Sequence, residues 1–325
     1  MAGGGGLIAL GVVLLLGLAA VWSYAGPGPR SRNGEVTSVM LAKGSGVRQI
    51  GEALKAAGVI GSPGLFSLAA RLTGAGSQLK AGEYDVRSGA SLASILADIR
   101  AGRVVRRLIA VPEGWTSGMA LDAVNAATWL TGTAEEPPEG SILPDSYEAA
   151  RGENRGAVIS RMRAARDKTL AELWAGRAPD LPLATPDEAV TLASIVEKET
   201  GVAAERPRVA AIFINRLRVG MALQSDPTII YGISRGRPLG RGIRASELAA
   251  VGPYNSYRVV GLPPTPIANP GRAALAAVLH PPATEELYFV ADGTGGHAFA
   301  STLEAHERNV ARWRAIERAK AGGVR

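Results

Sequence analysis

Residues 185 to 201, TPDEAVTLASIVEKETG, bring two carboxylates, Glu197 and Glu199, to the end of one strongly signalled helix. Thr185 can cap that helix, Pro186 suits its first position, and Glu188, three residues after Thr185, completes a capping box. Gly201 is a natural stop. On a wheel of about 100° per residue, Leu192, Ile195 and Val196 form an apolar stripe with Ala189 and Ala193, while Thr191, Ser194 and Lys198 point the other way. Glu199 falls on the stripe, and Glu197 is rotated from it by roughly 200°, so the two cannot converge as a carboxylate pair. A carboxylate on an apolar surface loses hydration, and in a last turn it meets the negative end of the helix dipole. Both effects favour the protonated form and suit an acid working near neutral pH. The plainer alternative is a boundary residue that reaches water or pairs with Arg206 or Arg208.

A second group of polar and aromatic residues lies between 223 and 271, in LQSDPTIIYG, PYNSY and GLPPTPIANPG. Gln224, Ser225, Asp226, Thr228, Tyr231, Tyr254, Asn255 and Tyr257 alternate there with rigidifying Pro and Gly. Planar donors and acceptors beside aromatic faces, held on stiff loops, suit sugar hydroxyls and sugar rings. An Asx-turn region in which Asp226 and Asn255 satisfy backbone fits the same composition.

Other chemistries find less support. His280, His297 and His306 share a stretch with Asp292, but their spacing fits no standard zinc pattern. Ser194 and Lys198 are one residue too far apart for S-x-x-K, and no G-x-x-x-x-G-K-[ST] occurs. The absence of cysteine removes disulfides, thiolate catalysis and Cys-ligated metals. No metal and no cofactor is expected. The formal charge of +7 is read as spread along the chain, and with 5% aromatics and no motif, nucleic acid is not an expected partner.

The elements that must position these residues follow from the rest of the 325-residue chain. Leu7 to Trp22 is an unbroken apolar and glycine run, long enough with the preceding glycines to span a bilayer, so residues 1–25 are expected to be an uncleaved transmembrane anchor. A cleaved signal with Ser23 and Ala25 before Gly26 is the alternative. Arg30 and Arg32 follow the span, so charge asymmetry gives no support for exporting what comes after it. A Gly/Pro/Arg/Ser linker at 26–35 leads to a weak internal repeat, in which 42–59 matches 87–104 without gaps. Each copy reads as a strand (Val36 to Leu41, Gly82 to Val86), a polar turn and an amphipathic helix. This gives a small α+β module over 36–105 and a second α+β region over 106–325. The latter begins with the strand-like RRLIAVPEGW, where Glu113, Gly114 and Trp115 turn. It also contains EGSILPDSY, a helix over Pro207 to Leu217, a hairpin where ELYFVAD meets GTGGHAFA, and a final helix capped by Ser301 and Glu304.

Taken in order, EGSILPDSY, ASIVEKET, FINRL, LQSDPT, YNSY, GLPPTPIANPG and LYFVADGTGGH closely resemble the endolytic murein transglycosylase family (MltG, YceG-like) over roughly residues 36–315. Ser225 and Ser146 stand where that family often has Thr. The resemblance implies a single-pass inner-membrane protein facing the periplasm, a LysM-like N-terminal module, and a catalytic domain that cleaves nascent peptidoglycan strands internally. It implies a lytic transglycosylase, a carbon–oxygen lyase acting on a polysaccharide, with peptidoglycan glycan strands as substrate and peptidoglycan synthases as neighbouring partners. The family's catalytic glutamate aligns with Glu199. Gln224, Ser225, Asp226, Tyr231, Tyr254, Asn255 and Tyr257 are expected to line the glycan groove. Two alternatives stay open: a hydrolytic muramidase with Asp226 or Glu197 as second carboxylate, and a non-catalytic scaffold that binds glycan.

Overall fold

The computed structural model describes residues 4–31 and 34–322. Residues 1–3, 32–33 and 323–325 lie outside it, as do the side chains of 4–10, 13, 16, 321 and 322. The chain is α+β and forms two compact units, residues 1–107 and 108–325.

The first unit runs α1 (Gly4–Ala25), β1 (Val36–Leu41), α2 (Val47–Ala56), α3 (Pro63–Leu72), β2 (Gly82–Arg87) and α4 (Leu92–Ala101). Among the described residues no helix is long and apolar enough to cross a membrane. Much of the anchor expected over 1–25 belongs to side chains outside the described set. β1 and β2 pair antiparallel with Val39 opposite Tyr84, and every second residue of β1 is buried, as a strand with one wet face requires. Phe66, Leu54 and Ile99 fill the core beneath them. The repeat is visible in the backbone: Gly44 and Gly89, equivalent positions of the two copies, both take the left-handed conformation at φ +85° and +78°. The linker, by contrast, is pinned. Gly28 N–H donates to the Gly89 carbonyl (3.1 Å), Gly89 N–H to the Pro29 carbonyl (3.1 Å) and Ser31 N–H to Ser88 Oγ (2.9 Å). A Cβ on Gly28 would lie 2.1 Å from the Ala90 carbonyl oxygen, so only glycine permits this approach.

The unit boundary also corrects the reading of charge. Residues 1–107 contain twelve Lys and Arg against five Asp and Glu, whereas residues 108–325 contain 24 of each. The whole +7 therefore resides in the first unit.

The second unit runs β3 (Leu108–Ala110), α5 (Ser117–Ala126), β4 (Ser146–Glu148), α6 (Arg155–Ala175), α7 (Pro186–Glu199), α8 (Arg206–Arg218), α9 (Asp226–Ser234), α10 (Ala245–Ala249), α11 (Arg272–Leu279), β5 (Tyr288–Ala291), β6 (His297–Ala300) and α12 (Leu303–Gly322). β3 pairs with β4, and β5 with β6 across a turn in which Gly293 and Gly295 have positive φ. The segment expected to be loop-rich holds two helices, α9 and α10. The N-cap of α12 falls on Thr302, whose hydroxyl accepts from Ala305 N–H at 3.3 Å, one residue beyond the expected Ser301.

α7 lies at the centre, packed against α8 and α11. Its eight residues from Ala189 to Val196 are all buried, which overturns the expected polar face. Thr191 and Ser194 are inside because their hydroxyls are satisfied there. Thr191 Oγ1 donates to the Asp187 carbonyl (2.9 Å), and Ser194 Oγ donates to the Thr191 carbonyl (2.7 Å) while accepting from Ile267 N–H (2.9 Å).

Candidate active site

The capping box forms as the spacing dictates: Thr185 Oγ1 accepts from Glu188 N–H (3.2 Å), and Glu188 Oε2 accepts from Thr185 N–H (3.4 Å) and Ala184 N–H (2.5 Å). The far end stops at Thr200, one residue before the expected Gly201. Thr200 turns extended and its hydroxyl accepts from Val202 N–H at 3.0 Å. Glu199 is thus the last helical residue.

Its carboxylate faces the start of α9. Glu199 Oε1 accepts from Ser225 Oγ at 2.5 Å. Ser225, only 1% exposed, is fixed on three sides. Its N–H donates to Ser256 Oγ (2.9 Å), its carbonyl accepts from Thr228 Oγ1 (2.7 Å), and the Thr228 and Ser256 hydroxyls bond each other at 2.8 Å. The preceding residue, Gln224, is exposed and left-handed at φ +52°, a conformation disfavoured for a side chain of this kind and held by its N–H bond to the Ser256 carbonyl (2.9 Å). Asp226 is exposed and accepts from Tyr257 Oη at 2.7 Å.

Burial pushes the Glu199 carboxyl up to about 7; the Ser225 bond opposes the rise, nearby Asp226 adds to it, and the charges of His297 and Arg216 counter it. Both protonation states are then populated at neutral pH, so the group can give up a proton and take one back. Arg216 is buried, with Nε donating to the Leu287 carbonyl (2.7 Å) and Nη1 to the Leu223 carbonyl (2.5 Å).

Glu197 meets different surroundings. It accepts from Gly271 N–H (2.9 Å) and lies 3.6 Å from Arg206, with its side chain 5% exposed. Burial pushes the Glu197 carboxyl above its ordinary range too, while Gly271 and Arg206 work against that. The pairing of Glu199 with Arg206 or Arg208 does not occur: Arg206 pairs with Glu197, and Arg208 with Glu286.

Of the expected groove residues, Gln224, Ser225, Asp226 and Tyr257 gather around Glu199, and three others brace the fold behind them. Tyr231 is buried with its ring 5.1 Å from that of Tyr254, and burial with neighbouring Glu139 pushes its hydroxyl up to about 12. Tyr254 Oη bonds Thr265 Oγ1 at 2.8 Å. Asn255 donates from Nδ2 to the carbonyls of Glu247 (3.3 Å), Leu248 (3.1 Å) and Ala250 (2.7 Å), and its Oδ1 accepts from Tyr257 N–H (3.1 Å). That is the backbone-satisfying role its residue type also allowed.

Two features escaped the sequence reading. Arg216 sits in FINRL, where an arginine on an apolar helix was the available signal. His297 is oriented by Glu205, which accepts from its backbone N–H (3.0 Å) and contacts Nδ1 at 2.8 Å. A Cβ on Gly296 would lie 2.6 Å from Glu205 Oε1, so the glycine of GTGGH admits that carboxylate. His306 stacks on Tyr288 instead. Among the described residues no group of three or more His, Asp or Glu converges to hold a metal ion. Elsewhere in the unit, fully buried Asn269 accepts from Ile142 N–H (3.2 Å) and donates to the Trp115 carbonyl (3.0 Å), Ser117 Oγ (3.1 Å) and Glu139 Oε1 (3.2 Å). It joins the EGW, EGSIL and ANPG segments.

Similar proteins align with this chain over most of its length. The endolytic murein transglycosylase of Streptococcus pneumoniae serotype 2 is 29% identical over an alignment covering 84% of this chain and 58% of that protein, so this chain spans under two thirds of that relative. The endolytic murein transglycosylase of Bacillus subtilis is 26% identical, with 91% and 90% covered. A crystal structure of a yceG-like protein from Listeria monocytogenes is 25% identical and superposes with a TM-score of 0.54 over 84% of this chain and 98% of that one. Residues 39–312 match the YceG-like family, and the chain belongs to it.

Proposed function

We propose that the chain is a peptidoglycan lytic transglycosylase that cuts within glycan strands, with Glu199 as its single acid and base. The observation that carries this reading is the desolvated Glu199 carboxyl, raised to about 7 and oriented by buried Ser225. Supporting it are the printed activities of the Streptococcus pneumoniae and Bacillus subtilis relatives.

Protonated Glu199 gives its proton to the oxygen linking N-acetylmuramic acid to N-acetylglucosamine, and that bond breaks with its electrons on the departing hydroxyl. The carboxylate then takes the proton of the muramyl C6 hydroxyl as that oxygen bonds to C1, closing a 1,6-anhydro ring and restoring protonated Glu199. The sugar's own hydroxyl replaces water, so no second carboxylate is needed. Gln224, Asp226 and Tyr257 supply the polar rim that would hold the strand. The catalytic unit would face the periplasm from an inner-membrane anchor at residues 7–25. The strand–helix–helix–strand order of β1, α2, α3 and β2 supports a LysM-like role for the first unit.

One observation favours a second reading. Exposed Asp226 lies close enough to raise Glu199, so it could serve as the second carboxylate of a hydrolytic muramidase. Glu197 is withdrawn from that part by Gly271 and Arg206. Mass spectrometry of products from purified sacculi separates the readings. Anhydromuramyl ends are expected, reducing ends would transfer the chain to the hydrolases, and binding without product would leave a scaffold.

A further inference from the structure

α3 has two faces. Phe66, Ala69 and Ala70 enter the core, whereas Leu65, Leu68 and Leu72 are 45%, 51% and 80% exposed. The three leucines fall within roughly 60° of one another on the helix wheel and form a continuous, largely exposed apolar stripe. An unassisted soluble helix would place polar residues there.

The stripe does not stand alone. Leu65, Leu68 and Leu72 line a groove together with Ala20, Val21 and Tyr24 of α1. Trp22, 70% exposed, lies at the same end of α1, and Trp and Tyr are the side chains favoured at a bilayer boundary. The segment after α1 is held against the 88–90 turn by Gly28, Pro29 and Ser31, so α3 keeps its place beside the end of α1. The net positive charge of the chain lies in this unit, which includes Arg71 on α3.

We propose that the α3 leucine stripe docks onto an anionic phospholipid bilayer surface beside the end of α1. The leucines enter the boundary between headgroups and acyl chains, and exposed Arg71 on the same helix meets anionic headgroups. This holds whatever bond the second unit cleaves.

The absence of cysteine makes the test direct. Leu68→Cys, Leu72→Cys and, on exposed α2, Arg48→Cys are labelled singly with a nitroxide in the full chain. Each is reconstituted into nanodiscs of phosphatidylcholine with or without phosphatidylglycerol. All three sites are exposed, so folding should survive labelling. Labels at 68 and 72 should be relaxed preferentially by oxygen and shielded from an aqueous nickel complex, with depths of about 5–10 Å. The label at 48 should show the reverse, and omitting phosphatidylglycerol should return the first two toward water. Equal aqueous accessibility at all three sites in both lipids would overturn the proposal. So would short label-to-label distances at position 68, because a second copy would then occupy the stripe.

Discussion

The two sides of the last turn of α7 are built differently, although Glu197 and Glu199 stand only two residues apart. Toward Glu197 the turn meets a backbone N–H and a guanidinium, from Gly271 and Arg206, and the side chain is closed off. Toward Glu199 it meets a neutral hydroxyl on a fixed loop, Ser225. Burial raises both carboxyls, so burial alone does not distinguish an acid catalyst from a structural anion. The partner does: a neighbouring cation commits one carboxylate to the fold, whereas a hydroxyl orients the other and leaves its proton exchangeable.

That contrast can be broken from either side. Glu199→Gln should reduce glycan cleavage by about 10²- to 10⁴-fold, the usual worth of a positioned acid and base, when turnover is followed on isolated strands. Glu197→Ala should act on stability instead. Losing the Gly271 bond and leaving Arg206 without its partner should cost about 2–4 kcal/mol in denaturant unfolding, with turnover per folded molecule largely kept.

Acid–base linkage sharpens the same comparison. The folded-state value of Glu199 lies above its ordinary 4.5, so protonation favours the folded chain. Its stabilising contribution is complete below about 4.5 and is lost as pH rises through about 7. Relative to Glu199→Gln, the wild type should lose about 2–3 kcal/mol across that window, measured by unfolding at a series of pH values. Ser225→Ala removes a bond that favours the carboxylate and should move the alkaline limb of the rate profile, where the resting acid loses its proton, to higher pH. Tyr257→Phe, which frees Asp226 from its hydroxyl, should have the smallest effect, about fivefold in kcat/KM.

Features set by neighbours in sequence were legible beforehand. The Thr185–Glu188 box, the GTGG hairpin, and the Gly44 and Gly89 turns depend on spacings of a few residues, and each formed as read. What escaped depends on distant segments. Ser194 is buried because Ile267, more than seventy positions later, supplies its donor. Tyr231 and Asn255 have the residue types of a sugar groove but are turned inward, toward Tyr254 and toward the carbonyls around α10. Arg216 and the Glu205–His297 pair act on Glu199 from elements that no local pattern connects to it. The charge asymmetry was countable in the sequence, yet it acquired meaning only once the boundary of the first unit was known.

The claim that Glu199 is a proton-exchanging carboxyl at neutral pH is tested most directly by carbon-detected NMR titration of glutamate-labelled protein, wild type beside Glu199→Gln. One carboxyl resonance should titrate at about 7 in the wild type and be missing from the variant. A Glu199 resonance with its midpoint at the ordinary value of 4.5 would contradict it.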